Sequence, residues 1–122
     1  MEDLKGDIVQ CGGNEDIDLV QIFQTLEKHL PKTSKNFKRF YLNNTLITEL
    51  KENTFSDITF DGIEIEGCSK LKSIHKNAFT TTELVTTELI FDYNALISSD
   101  NSIFSAVGKF VNLENLVFVL MA

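Results

Sequence analysis

With one proline and six glycines in 122 residues, the chain has little to break it into loops and is expected to be rich in regular structure. Positive charge is scarce: eleven Lys and Arg against eighteen Asp and Glu leave a formal charge of -7 and a pI near 4.7. That balance offers no electrostatic footprint for a phosphate backbone, so nucleic acid is not an expected partner. Long apolar runs are missing too. The longest, Leu116 to Ala122, falls far short of the roughly 18 residues of a spanning helix, and no membrane span is expected. Two cysteines, Cys11 and Cys68, permit at most one internal disulfide and exclude a disulfide-stapled scaffold. The opening Met-Glu-Asp-Leu-Lys-Gly-Asp has neither the basic nor the apolar stretch of a secretory signal, so the chain reads as intracellular or as lacking its true N-terminus. Apolar side chains, in contrast, are plentiful: 43% of residues are hydrophobic, which suits one domain around one core.

From Asp16 to Leu30, the residues Leu19, Ile22, Phe23, Leu26 and Leu30 recur at helical steps and predict an amphipathic helix. Asp18 with Gln21 reads as its N-cap pair, and Pro31 stands where it should stop. Ahead of it, Asp7 to Cys11 is short and β-branched before Gly12-Gly13, the pattern of a strand entering a turn.

Beyond Pro31 the helical period gives way to a longer one. Phe37, Phe40 and Leu42 are followed by Thr45 and Ile47; the frame returns at Phe60, Ile63, Ile65 and Cys68, and again at Thr86, Leu89, Phe91, Asn94 and Leu96. A partial fourth copy reads Leu113, Leu116 and Phe118. The second apolar positions, 40, 63, 89 and 116, are separated by 23, 26 and 27 residues. This is the leucine-rich-repeat pattern, in which each copy contributes a short strand to a parallel sheet on a concave face. The fold class predicted is therefore α/β: an N-terminal cap with an amphipathic helix over 1–31 and leucine-rich repeats over 32–122, about three full and one truncated. Thr45, Cys68 and Asn94 are the expected buried donors where the backbone leaves the sheet. Phe55, Phe79 and Phe104 are the expected aromatic column on the convex side. Two departures stand out: Thr86 replaces an apolar residue, and Leu71 follows Cys68 by three residues where other copies use two.

The cap segment Asp16-Ile-Asp-Leu-Val-Gln-Ile-Phe-Gln-Thr-Leu, together with Phe40-Tyr-Leu-Asn-Asn-Thr-Leu-Ile-Thr-Glu-Leu and Ile74-His-Lys-Asn-Ala-Phe, resembles arthropod extracellular leucine-rich-repeat proteins. Those of the oplophorus-luciferin 2-monooxygenase non-catalytic subunit type are especially similar, over most of the chain from about residue 8. The resemblance implies a secreted binding or scaffolding protein without an active site of its own.

In the repeat frame the outward residues of each strand form a candidate protein-binding face. It comprises Lys38, Arg39, Tyr41 and Asn43; Asp61, Gly62, Glu64 and Glu66; Thr87, Glu88, Ile90 and Asp92; and Glu114, Asn115, Val117 and Val119. Its expected character is an acidic centre with a basic, tyrosine-bearing edge, fitted to a protein partner with a basic surface. No enzyme activity, metal or cofactor is expected. Cys68 lies in the coil without a base, and His29 and His75 have no ligand spacing. A Cys11–Cys68 bridge is not expected across a full repeat. Asn43-Asn44-Thr45 is a glycosylation sequon, with Asn43 the candidate acceptor if the protein is secreted.

The repeat frame ends abruptly, with Met121 at the fourth donor position. A bare edge of this kind is expected in a fragment of a longer repeat protein, or in a complete chain whose edge a partner or a second copy covers edge to edge. The alternative role is a non-catalytic structural subunit that stabilises an enzyme complex through that edge.

Overall fold

A computed structural model of the chain describes residues 2–5, 8–94 and 102–120. Strands β1 (Glu2–Lys5) and β2 (Ile8–Gly13) lead into helix α1 (Leu19–Lys28). Then come β3 (Asn36–Asn44), β4 (Glu49–Leu50), β5 (Thr59–Glu66), β6 (Ser73–Ile74), β7 (Glu88–Asn94), α2 (Ser102–Val107) and β8 (Asn115–Leu120). Six strands form one sheet in the order β1-β2-β3-β5-β7-β8. β1 is antiparallel to β2, and the five strands from β2 onward are parallel. The short β4 and β6 pair parallel in a second sheet. The architecture is thus a mixed α/β fold built on a parallel sheet.

The helix begins at Leu19, the first residue of its apolar stripe. Asp18 is the N-cap, its carboxylate accepting from the Gln21 amide at 3.2 Å, and His29 closes the other end. The strand expected before Gly12-Gly13 is β2, and it belongs to the sheet: Cys11 is the register partner of Leu42.

Register follows the long period of the sequence. Phe40, Ile63, Leu89 and Leu116 are successive partners across β3, β5, β7 and β8. They and their neighbours two residues on, Leu42, Ile65 and Phe91, face the covered side of the sheet, where the core lies. Phe23 of α1 meets Phe40, Phe55 and Phe60 edge-on at 5.4, 5.0 and 5.9 Å and closes one end of that core. Each fully buried ring contributes about 1.5–3 kcal/mol of transfer free energy.

Two expected series need correction. The first buried donor is Asn44; Thr45 is exposed. From Phe40 on β3 alternates without interruption, so Asn44 follows Leu42 inward, whereas left-handed residues at Gly67 (φ 65) and Tyr93 (φ 55) delay Cys68 and Asn94 by one position. Asn44 donates to Glu15 O at 2.9 Å and accepts from the amides of Leu46 and Ile47. Asn94 likewise donates to Ile65 O at 2.8 Å and accepts from the Cys68 amide, and the Cys68 thiol faces Leu42 O at 3.8 Å. With Asn44 as the donor, Ile47 and Leu71 both follow their donors by three residues and both are buried, so the first two copies agree.

In the aromatic series, Phe55 and Phe79 stack at 5.8 Å, but Phe104 is 57% exposed. α2 turns Ile103 and Ala106 inward instead, and Phe110 takes the place against Phe79 at 5.2 Å. Thr86 is accommodated by a partner that its own position does not reveal. Thr82 and Thr86 are both fully buried and together satisfy Phe60, whose amide donates to the Thr82 hydroxyl at 2.8 Å while the Thr86 hydroxyl donates to its carbonyl at 2.7 Å. Leu96 and Met121 lie outside the described residues.

Candidate functional site

Parallel pairing converts residues about 25 positions apart into rows across the open face of the sheet. Arg39, Gly62, Glu88 and Asn115 are register partners in one row; Tyr41, Glu64, Ile90 and Val117 form the next. Glu66, Asp92 and Val119 form a third. The candidate residues of the four strands therefore share one surface, with Lys38, Asp61 and Glu114 at its lower rim. There a depression of about 280 Å³ is lined by Lys38, Arg39, Asp61, Gly62, Thr87, Glu88, Glu114 and Asn115.

Arg39 organises this face. Its guanidinium lies across Gly62, pairing with Glu64 on β5 at 3.5 Å and with Glu88 on β7, and its Cζ stands 5.6 Å from the Tyr41 ring centroid. The reach across a whole strand exists because position 62 has no side chain: a Cβ there would collide with Nη1 and stand 3.2 Å from Cζ. Asn115 then donates to Glu88 at 2.9 Å, so the bonded chain runs over four strands. Asn115 and Arg39 together hold the Glu88 carboxyl below its usual range.

The row above is different. Desolvation, the negative charges of Glu64 and Asp92 and a hydrogen bond with Glu64 push the Glu66 carboxyl above its usual range. Asp92 Oδ1 is buried without a hydrogen-bond partner. The sorting corrects the expected layout. Arg39 and Tyr41 are not an edge, since β2 and β1 lie beyond β3, and the cation is consumed inside the face while the acidity gathers at Glu66 and Asp92. Asn43, the candidate glycan acceptor, is exposed on the same face, and its side-chain oxygen would stand 3.3 Å from a Cβ at Gly67.

Elsewhere the chemistry is sparse. Cys11 and Cys68 are buried and form no disulfide, and burial raises the Cys68 thiol above its ordinary value, which keeps it protonated. Among the described residues no group of three His, Cys, Asp or Glu side chains is placed to hold a metal, and no helix is long and apolar enough to cross a membrane. A second depression of about 360 Å³ lies between the start of α1 and the segment from Leu46 to Lys51. Sequence reasoning missed it, because no motif links those two stretches. It also missed the dependence of Arg39 on Gly62, which a glycine inside an otherwise well-filled strand signals. Comparison with family models, curated proteins and solved structures returned no match.

Proposed function

We propose that the chain is a leucine-rich-repeat module whose open sheet face recognises a protein partner through a basic segment. The solenoid reading is supported by register partners 23, 26 and 27 residues apart. The backward-reaching side chains of Asn44, Cys68 and Asn94 support it as well. The resemblance to extracellular non-catalytic repeat proteins agrees with a binding role and carries localisation outside the cell as part of the same proposal.

One observation carries the recognition reading: Arg39 is already committed to Glu64 and Glu88, while the charges acting on Glu66 are those of Glu64 and Asp92, both negative. A cationic side chain set there relieves a repulsion that the protein sustains on its own. Tyr41, Ile90 and Val117 in the middle row supply apolar contact beside it.

The test uses a nine-residue poly-arginine peptide as probe, with affinity measured at low and at physiological salt. The double variant Glu64→Lys, Glu66→Lys is expected to lose at least tenfold in affinity at low salt, about 1.4 kcal/mol. The double variant Glu49→Lys, Glu52→Lys makes the same change in net charge at exposed positions outside the six-stranded sheet, and should lose far less. Equal losses in the two variants would reduce the effect to net charge and remove the site.

A further inference from the structure

We propose that β8 is the contact strand of a symmetric homodimer, in which two copies pair β8 antiparallel to β8 and join their sheets. Among the described residues β8 has a sheet neighbour, β7, on one side only. Both of its faces are apolar. Leu116 is 47% exposed although its register partners Phe40, Ile63 and Leu89 are fully buried, and Val117 and Val119 on the opposite face are exposed as well.

The character of the two edges selects the occupant. Residues 115–120 read Asn-Leu-Val-Phe-Val-Leu, with no charge, proline or glycine to blunt the edge. The chain's net charge of -7 opposes contact between copies over most of the surface, so a pairing of two copies is confined to this uncharged strip. The strip is also self-complementary. A two-fold axis at Phe118 keeps open face with open face, as antiparallel pairing requires, and sets Val117 of one copy opposite Val119 of the other. Among the described residues the other edge of the sheet is β1, whose sequence reads Glu-Asp-Leu-Lys, three charges in four residues. β8 stacked on β1 would match an apolar strip to a charged one, so the favoured association is the isologous pair that closes at two copies rather than a filament.

Light scattering after gel filtration of the 122-residue chain at about 100 μM, a concentration that populates weak pairs, should give twice 13.8 kDa. The doubles Val117→Lys, Val119→Lys and Val117→Glu, Val119→Glu place like charges opposite one another and should each be monomeric. Mixing the two should restore the doubled mass. Val111→Lys, at a residue 68% exposed outside β8, should leave the dimer intact. Independently of any variant, amide exchange over residues 116–119 of the unmodified chain should slow with concentration. A monomer throughout, with concentration-independent exchange, overturns the proposal and leaves the edge to a different protein. A dimer indifferent to both doubles, or a species larger than two copies, overturns it as well.

Discussion

Phe40 and Leu116 hold the same register position on β3 and β8, yet Phe40 is fully buried and Leu116 is 47% exposed. At the first position the α1 ring of Phe23, the edge-on ring of Phe55 and the tilted ring of Phe60 close over the site. At the second, Phe118 lies 6.5 Å from Phe104, which is itself half exposed. Identical pattern positions therefore differ in environment, because in a stacked sheet burial comes from the neighbours and not from the residue. The open face repeats the lesson in charge: Glu88 and Glu66 are both outward carboxylates, one held by Arg39 and Asn115 and the other pressed between acids.

The largest expected effect separates the two ends of the core. Phe60→Ala should cost about 3–5 kcal/mol in urea unfolding, whereas Leu116→Ala should cost no more than about 1, since most of what it removes is already in water. Similar costs at both would break the comparison. Next comes the reassigned donor. Asn44→Ala strands three backbone groups and should cost about 1–3 kcal/mol, against about 0.5 or less for Thr45→Ala. The reverse order would restore Thr45 as the donor.

A smaller effect tests the bridge across β5. A double-mutant cycle on Arg39→Met and Glu88→Gln should return a coupling of about 0.2–1 kcal/mol. Repeated in a Gly62→Ala background, the coupling should vanish, because the new methyl group displaces the guanidinium; a coupling that survives would show that Arg39 reaches Glu88 by another route.

The smallest effect is one of sign with pH. Glu88, whose carboxyl is depressed in the fold, contributes stability that is present above its unfolded value and lost as pH falls through the folded one. Glu88→Gln should therefore lower the melting temperature at neutral pH, and the difference should fade below the ordinary carboxylate range. Glu66, raised in the fold, costs stability at neutral pH and ceases to do so once it is protonated. Glu66→Gln should raise the melting temperature at pH 7, with the gain fading as pH falls into the ordinary carboxylate range. Shifts of the same sign in both variants would erase the distinction between the two rows.

Much of the framework was legible because it rests on local periodicity. A helical stripe with Asp18 as its cap needs only the spacing of apolar residues, and the recurrence at Phe40, Ile63, Leu89 and Leu116 already implied their pairing. The misreadings arose where one residue of backbone decides the outcome. The repeat frame aligns Thr45 with Cys68 and Asn94, but those two follow left-handed residues that β3 lacks, and a tyrosine in that conformation at position 93 carries no signal in the sequence. The spacing of Phe104 fits an inward position, whereas α2 has room for Ile103 and Ala106 on its inner face and leaves the ring outside.

The sequence by itself determined the α1 cap, the parallel order of strands and the set of side chains on the open face, since each depends on periods of 3.6, 2 or about 25 residues. Only the tertiary structure decided which of those side chains spend their charge on one another. Arg39 and Glu88 are 49 residues apart, a separation no local period encodes, and they meet because two registers bring their strands into line and Gly62 leaves the space between them empty.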